Sequence, residues 1–268
     1  MNRIMQLILL AFALQLTVNV YAENIAPKKS NVYSELVEDG NPAEFTEMRG
    51  EELWHKKSVT NNKSLEQCNL GKGPGVIKGA YVELPKYFSD VNKVMDLEQR
   101  LIYCRTKIQG LTYQQAVSVP FSIAGQDSDI EALVSYIAAA SKGMKMAVKL
   151  DHPREKETYE VGKKLFFYRG GSHDFGCVTC HSSDNKRIRL QNLANLLRAN
   201  DSQATYTTWP AYRLSQGEVR TMQHRLMDCL RQQRFPEPEY ASDAITALTM
   251  FMAKNAEGGI YNAPAIKR

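Results

Sequence analysis

The sequence predicts an all-α fold that contains two copies of one helical unit. A set of residues between Pro85 and Cys104 recurs between Pro210 and Cys229 with a constant offset of 125 and no gap. The recurring residues are Pro85, Tyr87, Val94, Arg100, Leu101 and Cys104, matched by Pro210, Tyr212, Val219, Arg225, Leu226 and Cys229. Residues 130–138 and 245–253 also match each other, and both are amphipathic at helical spacing. Strand signals are weak, because β-branched residues do not alternate in runs bounded by turns.

Each copy is predicted to run as a first helix, a loop with a cysteine motif, connecting segments, a middle helix and a terminal helix. The first helix contains the pattern Gly-x-x-Leu-aromatic, at residues 50–54 and again at 162–166. The Gly-rich stretch from 71 to 85 is predicted to be a loop. A charged linker is expected over 141–156, and terminal arms over 23–42 and 255–268. These features predict two domains, at 23–145 and 146–268.

The first 22 residues are typical of an export signal. Arg3 is the only charge, an apolar stretch spans 7–14, and Val20-Tyr21-Ala22 places small residues where a signal peptidase cleaves. The apolar core is too short to cross a bilayer, so we expect cleavage after Ala22 and a periplasmic protein without a membrane anchor. Loss of Arg3 reduces the formal charge from +5 to +4. That mild charge argues against nucleic-acid binding.

The run Cys177-Val178-Thr179-Cys180-His181 is the attachment pattern of c-type haem. The two thiols bond the vinyl groups of the porphyrin, and the histidine ligates the iron. A zinc half-site or a thioredoxin-like redox pair would leave His181 unexplained, and there is no second Cys-x-x-Cys to complete a zinc site. The sequence therefore predicts one covalently bound haem c in the second copy.

The first copy has lost this motif and is predicted to be a haem-free cytochrome c-like domain. At the corresponding place it has Cys68-Asn69-Leu70-Gly71-Lys72, which lacks the second thiol and the iron ligand. The two remaining cysteines of this copy are Cys68 and Cys104. In an oxidising compartment we expect them to form a disulfide, the alternative being a pair of free reactive thiols.

Cys229 is then the one cysteine without a role, and it occupies the place of Cys104 in the second copy. An odd thiol in an exported protein is a reactive group, an intermolecular partner, a metal ligand or a small buried hydrophobe. Arg225 lies four residues earlier, so on a helix both side chains share a face, and its charge favours the thiolate. Arg220 and Arg231 add to a basic segment suited to an anionic substrate.

These motifs together resemble SoxA, the larger subunit of the SoxAX cytochrome of sulfur-oxidising bacteria. The resemblance rests on the haem motif, then Trp209-Pro-Ala-Tyr212-Arg213, then Gln223-His224-Arg225-Leu226-x-x-Cys229, then Arg234. It covers nearly the whole chain after the signal, since the two-copy plan also fits.

The resemblance implies an L-cysteine S-thiosulfotransferase with His181 and Cys229 as iron ligands. It also implies that Cys229 can carry an extra sulfur as a persulfide, and that Arg225 belongs to the active site. The implied reaction couples thiosulfate to a cysteine of the SoxYZ carrier and passes two electrons to haem. The implied partner is the small cytochrome SoxX, in a heterodimer. The chain is similar to the single-haem members of the family, which keep a disulfide in the first domain.

Two other functional classes remain open from the residues. A plain periplasmic electron-transfer cytochrome c would use Met222, Met227, His224 or a methionine of the terminal helix as its sixth iron ligand. A peroxidase-type haem enzyme would keep the sixth position open and would need a distal acid-base group, for which His224 is the nearby histidine candidate.

Overall fold

The computed structural model describes residues 40–188 and 191–268. Residues 42–268 form one compact unit. The predicted signal peptide and most of the predicted N-terminal arm lie outside the described residues. Within the part of the chain that is described, no helix combines the length and hydropathy needed to span a membrane.

The described residues are mostly helical, with short strands between the helices. The helices are α1 (Ala43–His55), α2 (Leu97–Lys107), α3 (Tyr113–Ala116), α4 (Asp129–Ala139), α5 (Pro153–Phe167), α6 (Cys177–His181), α7 (Ala199–Tyr206), α8 (Met222–Gln232) and α9 (Asp243–Asn255). The strands are β1 (Lys86–Phe88), β2 (Lys93–Met95), β3 (Arg187–Ile188), β4 (Gln191–Asn192), β5 (Ala211–Arg213), β6 (Glu218–Arg220) and β7 (Ala265–Lys267). Single 3₁₀ turns lie at Leu65–Gln67 and Tyr81–Glu83.

The first and terminal helices of each copy pack in the same way. Helix α1 packs on α4, and α5 packs on α9. A Cβ on Gly50 would lie 2.0 Å from the carbonyl oxygen of Ala132, and a Cβ on Gly162 would lie 1.9 Å from that of Ala247. The recurring glycine is thus explained, because any larger residue would collide with the backbone of the facing helix.

The hairpins before the middle helices repeat with the same offset as the sequence. Strand β1 pairs with β2 in the antiparallel register Lys86↔Met95, and β5 pairs with β6 in the register Ala211↔Arg220. The predicted internal repeat is confirmed over these elements. The division into two domains between 145 and 146 stays a prediction.

The two copies meet at the N-termini of their middle helices. Asp96 caps α2 by accepting a hydrogen bond from the Gln99 amide at 2.9 Å, and Asp96 Oδ2 also accepts one from Gln223 Nε2 at 2.5 Å. Thr221 caps α8 and hydrogen-bonds to Glu98. Burial and the neighbouring Asp96 carboxylate raise the pKa of Glu98 to about 8. The contact at these helix N-termini is therefore polar, and burial favours the protonated form of Glu98.

The predicted helical class is confirmed in its coarser form: the fold is mostly helical, and strands of two or three residues form two hairpins and a three-stranded sheet in the order β6-β5-β7. Two other sequence predictions about the fold need correction. Residues 255–268 are not an arm, since Tyr261 is fully buried and β7 pairs with β5. The predicted linker is not an exposed connection either, because Met146 and Val148 are buried and Pro153 begins α5.

Candidate functional site

The haem-attachment motif forms its own short helix, α6. A Cβ on Gly176, just before this helix, would lie 2.1 Å from the carbonyl oxygen of Tyr168, so the entry to the motif requires glycine. The Gly176 amide donates a hydrogen bond to Thr179 Oγ1 at 3.1 Å, which holds the first turn. Cys177 and Cys180 are partly buried free thiols.

His181 is oriented as an iron ligand would need to be. Its Nδ1 lies 2.9 Å from the carbonyl oxygen of Ala194, and a carbonyl only accepts, so Nδ1 carries the proton and Nε2 is left with its lone pair. Burial lowers the pKa of His181 and so favours the neutral ring. A backbone hydrogen bond of this kind fixes the tautomer of metal-binding histidines.

Cys229, on α8, lies close to the attachment cysteines. Burial and then the charge of Cys229 raise the pKa of Cys177 to about 12, and Cys180 in turn acts to raise that of Cys229. Burial raises the pKa of Cys229, whereas Arg225 acts to lower it. The predicted direction of the effect of Arg225 is right, but the effect of burial on the pKa of Cys229 is larger. Coordination to a metal ion would overcome this cost, because a coordinating thiol loses its proton.

Arg225 is held by a carboxylate that the sequence analysis missed. Its Nη1 lies 3.2 Å from Asp228 Oδ2, while Arg231 donates to Asp228 at 2.6 Å and so does Gln232. Burial acts to raise the pKa of Asp228, but the hydrogen bond from Arg231 and the charge of Arg225 outweigh it and lower the pKa. The sequence feature that could have predicted this ion pair is the i,i+3 spacing of Arg225 and Asp228 on a helix.

An apolar cavity opens beside Cys177. Its walls include Leu165, Tyr168, Leu230, Phe235, Pro236, Pro238, Ile245 and Leu248, and Gln233 also lines it. The side-chain oxygen of Gln233 is buried and has no hydrogen-bond partner. Cys177 lines this cavity, and Cys180 and His181, with its free Nε2, follow on the same short helix α6. Two thiols and an imidazole on one helix, next to apolar walls, fit a covalently attached porphyrin. The residues present therefore suit haem c.

The other candidate ligands of α8 have different surroundings. Met222 is buried and lines a cavity between the copies together with Asp96 and Gln223. His224 packs edge-on against Phe121 of the first copy, with ring centroids 4.8 Å apart. Burial, with the charge of Arg220, lowers the pKa of His224 to about 4. These contacts tie Met222 and His224 to the junction between the copies, whereas Cys229 lies beside the attachment motif.

Comparisons with known proteins identify the family. The model of the SoxA/TsdA cytochrome c domain matches residues 49–146. The chain is 48% identical to the L-cysteine S-thiosulfotransferase subunit SoxA of Hydrogenophilus thermoluteolus, over 88% of this chain and 86% of that protein. The chain belongs to the SoxA family. A SoxA of Hydrogenobacter thermophilus is 35% identical over 85% of this chain and 82% of its own length.

The fold agrees with SoxA membership. The chain aligns with the crystal structure of SoxXA from P. pantotrophus at a TM-score of 0.72 and 24% identity, over 89% of this chain and 84% of that one. The family model covers the first copy, whose motif at Cys68 lacks the second thiol and the histidine. The first copy thus matches a cytochrome c domain although its attachment motif is incomplete.

Proposed function

We propose that this chain is the haem c subunit of an L-cysteine S-thiosulfotransferase, and that Cys229 is the thiol on which thiosulfate is activated. The observation that carries the proposal is the placement of a third free thiol, Cys229, beside Cys177 and Cys180, with Arg225 one helical turn away. Its SoxA relatives, named as subunits of that enzyme, support it.

One haem c would be attached through Cys177 and Cys180, and His181 and Cys229 would hold its iron. When bound, haem c supplies a one-electron acceptor close to the sulfur chemistry. Cys68 and Cys104 form a disulfide in the first copy, so they offer no second attachment site. The proposed stoichiometry is therefore one haem per chain.

The proposed reaction balances with two electrons and one proton. The outer sulfur of thiosulfate forms a bond to the Cys229 thiolate sulfur, and the two electrons released in that step pass one at a time to a cytochrome acceptor. The thiolate of a SoxYZ cysteine then attacks the outer sulfur, the bond to Cys229 breaks, and Cys229 leaves as a thiolate. The net change converts a carrier thiol and the thiosulfate dianion into a thiosulfonate-capped cysteine, one proton and two electrons.

Arg225 is proposed to hold the anionic substrate at Cys229. It is partly exposed, and its ion pair with Asp228 at 3.2 Å fixes the guanidinium relative to α8. The remaining N–H groups can donate to sulfonate oxygens, which are strong acceptors for a guanidinium. Asp228 is thus a positioning residue for Arg225.

The proposed assembly follows the similar crystal structure from P. pantotrophus, which is that of SoxXA. We propose that a small cytochrome SoxX forms a heterodimer with this chain and provides the electron exit. We propose a periplasmic location after removal of residues 1–22. Thiosulfate and SoxYZ are the proposed substrates.

The test is turnover of the haem-loaded complex with thiosulfate, SoxYZ and a cytochrome acceptor, with the carrier followed by mass spectrometry. Arg225→Ala is expected to lower kcat/KM by a factor that corresponds to a loss of about 1.5–3 kcal/mol of transition-state stabilisation, the usual contribution of a hydrogen bond to a charged group. The matched control is Arg198→Ala, because Arg198 forms the same i,i+3 ion pair with Asp201 at 2.7 Å on the protein surface. Equal losses in both variants, or no thiosulfonate on the carrier with the wild type, would contradict the proposal.

A further inference from the structure

The loop that follows the attachment helix holds His181 at two points. The Ala194 carbonyl oxygen lies 2.9 Å from His181 Nδ1, and the Leu196 amide donates a hydrogen bond to the backbone carbonyl oxygen of His181 at 2.9 Å. The imidazole and the backbone of the proposed iron ligand are thus both bound to residues 194–196. The orientation of the ring therefore depends on what holds this short segment in place.

Ser202, on α7, holds this segment from inside the protein. Ser202 is 2% exposed, and its hydroxyl donates to the Leu196 carbonyl oxygen at 2.7 Å. A serine within a helix commonly donates to the carbonyl oxygen four residues earlier in its own helix. The Ser202 hydroxyl instead binds the loop before α7. Asn255, at the end of α9, adds a longer hydrogen bond from Nδ2 to the same Leu196 oxygen at 3.4 Å.

The segment between the cysteine motif and the following hairpin differs between the two copies. Residues 73–85 of the first copy are all described and contain one 3₁₀ turn, Tyr81–Glu83, before β1. In the second copy the segment is longer and contains the β3–β4 hairpin and α7. The copy that keeps the histidine is therefore also the copy that has the helix with Ser202. This pairing favours a role for Ser202 at the histidine over a role in packing that both copies would need.

We infer that Ser202 is a positioning residue for His181, because it fixes the segment whose Ala194 carbonyl orients the imidazole. The inference rests on the proposed attachment of haem at α6 and adds the element that sets the strength of the histidine ligand. A histidine whose second ring N–H donates to a carbonyl is a more basic metal ligand. A more basic ligand stabilises ferric iron and lowers its reduction potential. Ser202 therefore influences how readily the haem accepts an electron.

The variant Ser202→Ala in the haem-loaded complex tests the inference. Loss of the hydroxyl should let residues 194–196 shift and weaken the hydrogen bond to the imidazole. The midpoint potential of the haem should then rise, and the electron paramagnetic resonance g-values of the ferric protein should change. Ser135→Ala is the matched control, because Ser135 is a buried serine of α4 in the first copy whose hydroxyl donates to the Glu131 carbonyl oxygen at 2.8 Å. The control should lose similar stability in urea and keep the wild-type potential and g-values.

The outcomes separate this inference from the proposed function. A Ser202→Ala variant with the wild-type potential and g-values overturns the positioning role, and the proposed reaction stands. Equal shifts in Ser202→Ala and Ser135→Ala also overturn it, since they would reflect a general loss of packing. A shift confined to Ser202→Ala, combined with a wild type that holds haem but does not modify SoxYZ, supports the positioning role and contradicts the proposed reaction. If Ser202→Ala does not fold, Asn255→Ala removes the other donor to Leu196, and an unchanged potential there overturns the inference.

Discussion

Replacing Gly162 with alanine tests the helix crossing that supports the haem-bearing copy. The new Cβ would lie 1.9 Å from the Ala247 carbonyl oxygen and 2.5 Å from its carbon, on the facing backbone of α9. Backbone atoms in the middle of a helix cannot swing aside as a side chain can. Helices α5 and α9 would have to separate locally, and their buried contacts around Phe166 would loosen.

The sign of the change in the free energy of unfolding shows whether helix propensity or the collision with α9 dominates. Helix propensity alone predicts that Gly→Ala stabilises by roughly 0.8–1.0 kcal/mol. Overpacking a core costs typically about 1–3 kcal/mol, and a backbone collision belongs at the upper end of that range. We therefore expect Gly162→Ala to lower the free energy of unfolding by about 2 kcal/mol net.

Urea unfolding, followed by far-ultraviolet circular dichroism and by haem absorbance, measures this difference. Gly50→Ala should behave alike, because its Cβ would lie 2.0 Å from the Ala132 carbonyl oxygen. Val161→Ala is the control on the exposed side of α5 and should change stability by less than about 0.5 kcal/mol. Stabilisation of the Gly162→Ala variant would refute the close crossing of α5 and α9.

Three further predictions concern the disulfide, the buried acid and the haem count. Replacing Cys68 and Cys104 together with alanine should lower the free energy of unfolding by about 4 kcal/mol and leave the haem in place. The magnitude is the chain entropy of a closed loop with a sequence separation of 36. Alkylation of Cys68 in the unreduced, unfolded wild type would show that the disulfide is absent. Burial raises the folded-state pKa of Glu98 from 4.5 to about 8. Between these two pH values the folded protein binds a proton at Glu98 that the unfolded chain has lost, so the free energy of unfolding falls as pH rises from about 5 to 8. Glu98→Gln should therefore gain stability relative to the wild type as pH rises from about 5 to 8 in urea titrations, and a constant difference would count against a protonated Glu98. A pyridine haemochrome assay should return one haem per chain, and two would mean that the first copy also binds haem.

The internal repeat predicted much of the fold because the recurring residues make equivalent packing contacts. Gly50 and Gly162 recur because each touches a helix backbone, and the cysteine positions recur because they lie on equivalent middle helices. The strands were missed because two or three residues are too few for an alternating pattern. Strand β7 could not be foreseen, since its partner β5 lies more than fifty residues earlier and the pairing depends on tertiary structure.

The site was predictable where chemistry is local in sequence. The attachment motif lies within five consecutive residues, and the i,i+4 spacing of Arg225 and Cys229 follows from a helix. Asp228 was missed because acidic residues at i,i+3 from an arginine usually form ordinary surface pairs.

The most direct test of the central claim is the ferric absorption spectrum of the haem-loaded protein with and without Cys229. Cys229→Ser should retain covalent haem through Cys177 and Cys180, lose the spectrum of a thiolate-ligated iron, and no longer modify SoxYZ. Met227→Leu, which removes a rival sulfur two residues away, should leave both the spectrum and the turnover unchanged. An unchanged spectrum and undiminished turnover in Cys229→Ser would mean that this thiol is buried packing and that the account is wrong.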